Sequence, residues 1–321
     1  MNRKFFAIAA AVLVLIQLTG CGSEYVDRDA GKLTAESEYR LSHGISSFDV
    51  LTEQVTYTGG RIEIDYEFEN GNVDANVGLL LFLDGCIQPF SLNAAEETAA
   101  MNMVDLPADS KETITLSFTP VKGTVGDMLP LHIVAIFDAK NTIDSPTLAL
   151  PFFQELSQAF PAAVIFEENS TNDNLQSWYE TNYNATSHDE KITEIDANQI
   201  AAGAKLVLSS FLNADDVESK QAIFGLPIEL KLSNTEEKEA EYHIFAFFNN
   251  EPVPWNEESF ISVTVPSESS YSANVTISSL KSNDEESGQL FFIAVPIHEA
   301  TQQAGTMVLK TKTIALCPKV S

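Results

Sequence analysis

From residue 61 the chain alternates without a break. Arg61-Ile62-Glu63-Ile64-Asp65-Tyr66-Glu67-Phe68-Glu69 sets Ile62, Ile64, Tyr66 and Phe68 on one side and charges on the other. A period of two is the signature of a half-buried antiparallel strand. A polar turn at Asn70 to Asn76 follows, then the continuous apolar run Leu79-Leu80-Leu81-Phe82-Leu83, which is of strand length. Asp84-Gly85 after it predicts a hairpin, because a tight two-residue turn needs positive φ at both central positions. Strand patterning starts near residue 45, and further strands are expected at Thr113 to Phe118, Leu131 to Phe137 and Thr147 to Leu150.

The same series then returns. Ile228-Glu229-Leu230-Lys231-Leu232 repeats the alternating strand, and Tyr242 to Phe248 repeats the apolar one. Asn249-Asn250 stands where Asp84-Gly85 stood, and Pro254-Trp255 answers Pro89-Phe90. Val275-Thr276-Ile277 is matched with Ile114-Thr115-Leu116, and Leu290 to Val295 with Leu131 to Ile136. Four motifs in one order, differing in the lengths between them, argue for internal duplication. Short strands, frequent turn signals and almost no helical periodicity predict an all-β chain of two tandem antiparallel β-sandwich domains. The pattern resembles the immunoglobulin-like modules common on bacterial surface proteins, without the Cys…Trp…Cys spacing of true immunoglobulin domains.

The expected boundaries follow. Residues 44–153 form the first sandwich, 154–205 a connecting segment, and 206–321 the second sandwich, with a start near 160 left open. Within the connection, Phe160 to Glu167 has strand character, while Asn169 to His188 is polar and holds Trp178, Tyr179 and Tyr183. Ala204 to Phe211 is read as the opening strand of the second sandwich.

The N-terminus carries an address. Arg3 and Lys4 precede an uninterrupted apolar stretch from Phe5 to Ile16, which is short for a bilayer span and of signal-peptide length. It ends in Leu18-Thr19-Gly20-Cys21, which resembles the bacterial lipobox. That resemblance implies a cleaved signal peptide over 1–20, a diacylglycerol thioether on Cys21, and an anchor on the outer face of a membrane. Residues 21–43 then read as the lipidated cysteine and a flexible tether with a reach of ~25 Å.

Charge narrows the partners. The net charge of −28 becomes −30 once the two cations of residues 1–20 are removed. Such a chain is repelled by nucleic acid and by anionic head groups. The expected partners are the membrane, through the lipid on Cys21, and an extracytoplasmic protein or glycan. Cys86 and Cys317 remain after lipidation, either as buried free thiols or as a bridge that an oxidising compartment would permit.

Chemistry-bearing patterns are scarce. Ser278-Ser279-Leu280-Lys281 has the S-x-x-K spacing of serine β-lactamases, but it follows a strand and lacks that family's companion motifs. Ser187-His188-Asp189 holds triad residue types at positions too close to form a relay. Asn70 to Asn76 spaces oxygens like a calcium loop but has Ala75 where the turn glycine belongs, and reads as a solvated turn. His132 and His243 fall inside expected strands and read as structural. No catalytic residue, metal site or cofactor is assigned. Phe90, Trp178, Tyr179 and Trp255 are the candidate ligand-binding aromatics, since aromatics near loop tips stack on sugars or anchor partners. The sequence therefore reads as a non-enzymatic binding, adhesion or envelope-scaffold lipoprotein. The alternatives are carbohydrate capture for a neighbouring uptake or degradation system, and an enzyme without a recognisable motif.

Overall fold

The structure is a computed structural model describing residues 41–46, 54–71, 74–140, 155–158, 162–171, 191–194, 196, 205–210, 221–223, 228–253, 259–275, 288–297 and 308–317. All of its regular elements are strands. In the first half these are β1 (Leu41–Ile45), β2 (Gln54–Tyr57), β3 (Ile62–Asn70), β4 (Ala75–Leu83), β5 (Cys86–Ile87) and β6 (Ser91–Leu92). They continue with β7 (Met101–Leu106), β8 (Lys111–Phe118), β9 (Met128–Phe137), β10 (Leu156–Gln158) and β11 (Ala162–Phe166). The second half has β12 (Lys191–Glu194), β13 (Lys205–Ser210), β14 (Gln221–Ile223), β15 (Ile228–Asn234), β16 (Ala240–Phe248) and β17 (Glu251–Val253). It closes with β18 (Ile261–Val265), β19 (Ser269–Val275), β20 (Gly288–Pro296), β21 (Leu309–Lys310) and β22 (Ile314–Cys317).

Each half is a two-sheet sandwich. In the first, β1-β3-β8-β6 faces β2-β11-β9-β4-β5, with β10 beside β9 and β7 beside β4. In the second, β13-β15-β19-β12 faces β14-β22-β20-β16-β17, with β21 beside β20 and β18 beside β16. All pairings are antiparallel except β2 with β11 and β14 with β22. Alternation explains the inner faces: Ile62, Ile64, Tyr66 and Phe68 point into the first core, and Ile228, Leu230 and Leu232 into the second. Both hairpins form as the turn residues require, with φ of 45° and 71° at Asp84 and Gly85, and 49° and 69° at Asn249 and Asn250.

The continuous apolar strands have a separate cause. Leu79, Leu81 and Leu83 of β4 face the first core, while Leu80 and Phe82 face the other sandwich. The same division runs through β9, β16 and β20. Leu80, Phe82, Ile87, Val134, Ile136 and Ala139 meet Phe245, Phe247, Phe291, Ile293, Val295 and Val308 in a third core between the sandwiches. Strands buried on both faces have no polar face to show. Register equates Leu80 with Phe245, Phe82 with Phe247, and Val134 with Ile293, so equivalent faces of the two repeats meet. The hairpin tips reciprocate as well. Gly85 lies against His243 and Ile297 of the second sandwich, and Asn250 Nδ2 donates to Ala139 O of the first at 2.6 Å.

Several expectations are corrected. β1 starts at Leu41, inside the expected tether. β10 and β11 fall in the expected connecting segment, yet both pair with β9 and close the first sandwich. β12, from the same segment, pairs with β19 of the second. All three are only three to five residues long; β11 lies between β2 and β9 with Val164 and Phe166 in the first core, whereas β12 is an edge strand. The match of Ile114–Leu116 to Val275–Ile277 is off by two. Asn70 and Asn234 end equivalent strands, so Tyr66, which pairs Ile114, is equivalent to Leu230, which pairs Ala273, and Ile114 corresponds to Ala273. The match of Leu131–Ile136 to Leu290–Val295 agrees with the register. The strand expected at Thr147 to Leu150 lies outside the described residues.

Candidate functional site

Buried polar groups gather at the Asp84–Gly85 tip, where one sandwich reaches the other. Asp84 is almost wholly buried and ion-paired with Lys122, whose Nζ also lies 3.4 Å from Asp84 O. His132 stands on the same face of the sheet, paired in register with Phe82. Burial pushes its imidazole down to about 4, with the Asp84 carboxylate pulling the other way. From the second sandwich, His243 Nδ1 donates to Gly85 O at 2.8 Å, and its ring lies 4.3 Å from that of Phe260. Burial lowers its pKa as well. The approach needs glycine at 85, since a Cβ there would sit 1.8 Å from Ile297 Cγ2. Cys86 beside it carries a free thiol, raised by burial, with Lys122 opposing. A thiol shifted in that direction is a poor nucleophile at neutral pH.

At the far side of the interface Lys310 lies over the Phe291 ring, its Nζ 4.4 Å from the centroid. The ammonium donates to Thr311 O at 3.1 Å and Thr313 Oγ1 at 3.0 Å. Desolvation pushes it down to about 7, while Glu155 of the first sandwich pulls it up. Cation–π contact and two acceptors offset part of that desolvation.

A third group crosses the open side of the first sandwich. His43 on β1 has Nε2 2.9 Å from Ser157 Oγ on β10 and Nδ1 2.5 Å from Tyr66 Oη on β3. Serine–histidine spacing of this kind is what an activated nucleophile uses. Here the third member is a buried phenol, whose pKa desolvation raises, in place of a carboxylate. Burial also pushes His43 down to about 4, disfavouring the imidazolium that proton transfer would create. The arrangement works as a pin joining the two sheets.

The Asn70–Asn76 turn is also explained by its bonds. Asn70 Nδ2 donates to Leu106 O and Pro107 O at 3.1 and 2.7 Å. Asp74 Oδ1 accepts from Ala108 N, and Asn76 Oδ1 from Lys140 N. These oxygens face separate backbone donors and no shared centre. The second sandwich repeats the cap, with Asn234 Nδ2 donating to Val265 O and Pro266 O at 3.0 and 3.1 Å. The signal in the sequence is an asparagine ending a strand and an apolar-Pro pair ending another. Asn70→Ala is expected to destabilise the protein by about 1–3 kcal/mol by orphaning two carbonyls. Denaturant titration checks it, and an unchanged midpoint would remove the cap from the account.

Phe90 corrects an expectation. It is fully buried in the first core, paired with Ala99 through N–H···O bonds of 3.1 and 3.0 Å, and so is closed to a ligand. The chain after β5 folds back under the hairpin and carries the ring inward. Cys21, Trp178, Tyr179 and Trp255 lie outside the described residues, as do the two serine motifs. Among the described residues no three His, Cys, Asp or Glu side chains are grouped to hold a metal ion, and no helix is long and apolar enough to cross a membrane. Nothing local marks His43, Ser157 or Lys310 in the sequence: His43 and Ser157 are brought together only by the fold, and Lys310 gains its meaning from the Phe291 ring beneath it.

Fold and site together define a tandem pair of antiparallel, immunoglobulin-like β-sandwiches fused through a shared apolar face. No family model matches the chain, and no curated protein matches it. Among solved structures it is similar to the CsuC–CsuE chaperone–tip adhesion subunit pre-assembly complex of archaic chaperone-usher Csu pili of Acinetobacter baumannii. That match has 10% identity, covers 88% of this chain and 99% of that one, and has a TM-score of 0.23. The YadV chaperone matches at 11% identity over 84% and 98% of the two chains, with a TM-score of 0.22. The periplasmic chaperone SfaE matches at 9% over 87% and 100%, also at 0.22. Superpositions this loose carry no argument about activity or partners.

Proposed function

We propose that this protein is a lipid-anchored, extracytoplasmic binding or envelope-scaffold protein, in which two fused sandwiches act as one rigid, non-catalytic body. The observation that carries the rigid body is the buried apolar third core, to which both repeats contribute continuous apolar strands. The buried polar groups support the non-catalytic part, because each cluster described is engaged in holding strands or sandwiches together. The Leu18–Cys21 motif supports the anchor. One acyl chain holds a protein weakly, at about 0.8 kcal/mol per buried methylene, whereas two or three hold it stably.

The test begins with Cys21→Ser, which is expected to lose both membrane association and the mass of the lipid. A variant that stays in the membrane fraction would overturn the anchor. The binding role is tested by crosslinking the full chain in its own cell envelope and analysing captured protein and glycan separately. A specific protein partner supports the scaffold; release of reducing ends from added glycans would instead establish hydrolysis.

A further inference from the structure

The two repeats treat one sheet edge differently. In the second, β12 lies along β19, with Lys191 opposite Ser272 and Thr193 opposite Ser270. The shared asparagine caps make Lys111 and Thr113 of β8 the equivalents of Ser270 and Ser272. Asn70 N donates to Ser110 O at 2.8 Å, so Ser110, Glu112 and Ile114 turn their main-chain groups toward β3. Those of Lys111 and Thr113 point the other way, at the positions β12 covers in the second sandwich. Further along, Asn93 closes the edge: its N donates to Thr115 O at 2.8 Å, and its Oδ1 accepts from Thr115 N at 3.0 Å. β6 then pairs with Leu116 and Ser117. Among the described residues no strand covers Lys111 or Thr113, and both side chains are exposed. Main-chain donors and acceptors lined up in this way are a template for a further strand.

The charges around the opening select the occupant. An edge lysine often guards a sheet against unwanted pairing, but Lys111 Nζ turns back onto its own sheet, to Glu67 Oε2 at 2.9 Å. Glu69 is exposed in the same row as Lys111, and Glu112 is exposed between Lys111 and Thr113. Carboxylates therefore outnumber ammonium groups here. We propose that the Lys111–Thr113 edge takes an extended, basic segment of a partner polypeptide by antiparallel pairing, as β19 takes β12. A lysine or arginine opposite Thr113 would start two strand spacings, about 10 Å, from Glu67, and would reach Glu67 and Glu69 across the threonine. The residue after it would lie beside Glu112. This gives the binding reading above a place and a partner class, and rests on that reading; the lipid anchor and the shared face play no part in it.

The probe is an eight-residue peptide of alternating lysine and valine, added to the full chain in non-ionic detergent and read by hydrogen exchange. At saturation it is expected to slow exchange over 111–114 at least about tenfold and to leave 269–272 unchanged. The fully N-methylated peptide keeps the charge but has no backbone donor, and should give no protection. Thr113→Pro removes a donor that β3 does not use, and should weaken the unmodified peptide at least about tenfold without moving the thermal transition. Equal binding of the two peptides would reduce the contact to charge alone and overturn the proposal. Slow exchange over 111–114 without peptide would place a segment of this chain on the edge. Slowing with protein concentration alone would place a second copy there, and either result overturns it. Crosslinking in the cell envelope judges the binding reading separately: a captured partner together with an unresponsive edge would sink only the edge.

Discussion

Phe245→Ala is expected to lower stability by about 3–5 kcal/mol, the range for removing a buried aromatic ring. Phe245 is 1% exposed, and its ring lies 5.7 Å from Phe82 of the other sandwich and 5.5 Å from Phe260. It therefore holds the shared face and leaves the second sandwich's own core, built on Ile244 and Ala246, intact. For a protein of this size the loss corresponds to a fall in Tm of roughly 6–20 °C. Phe245→Asp goes further, because an unpaired carboxylate in a buried apolar interface adds several kcal/mol of desolvation. With that variant, calorimetry should resolve the one transition of the parent protein into two, and small-angle scattering should show a larger radius of gyration. A single transition at the parent temperature in both variants would mean that the shared face contributes little.

Acid is the second strong lever. Burial pushes His43 and His132 down to about 4, against an ordinary value of 6.5. Between those values the unfolded chain binds more protons than the folded one. Stability is therefore whole above about pH 6.5 and is lost as pH falls through 4. Each histidine contributes on the order of 3 kcal/mol to that loss. His243 shifts in the same direction and also faces the interface. Asp138 and Glu155 act against them, since burial raises both carboxyls and their protonation favours the fold. The net expectation is a clear drop in denaturation midpoint from pH 7 to pH 4. His132→Phe, which installs the residue found at the equivalent Phe291, should flatten that slope by about one proton. An unchanged slope would show that His132 is not a source of the acid sensitivity.

How far the fold was legible depended on where each strand's side chains go. β3 and β15 alternate because one face meets solvent, and the sequence places them to within two residues, missing the asparagine that ends each. β4, β9, β16 and β20 were recognised as strands from their length, but nothing in Leu79–Leu83 says what covers its second face. That cover is the other repeat, which no local pattern encodes. β10 and β12 are three and four residues long and leave little side-chain pattern, while β11 shows as a strand within Phe160 to Glu167 but gives no local sign that it belongs to the first sandwich, where Val164 and Phe166 enter the core. Phe90 misled for a different reason. A proline and an aromatic after a hairpin read as a loop tip, whereas the returning chain tucks the ring into the core. The polar clusters were illegible throughout. His43 and Ser157 are far apart in sequence, as are Gly85 and His243, and only the topology brings them within bonding distance.

The meeting of equivalent faces has a consequence for dilution. Two separate sandwiches joined through one self-complementary face would associate only above some threshold concentration, and would part when scarce. Placing both on one polypeptide makes their union a unimolecular event, governed by an effective local concentration that does not change with expression level. A molecule present in few copies would then be as well assembled as one present in thousands.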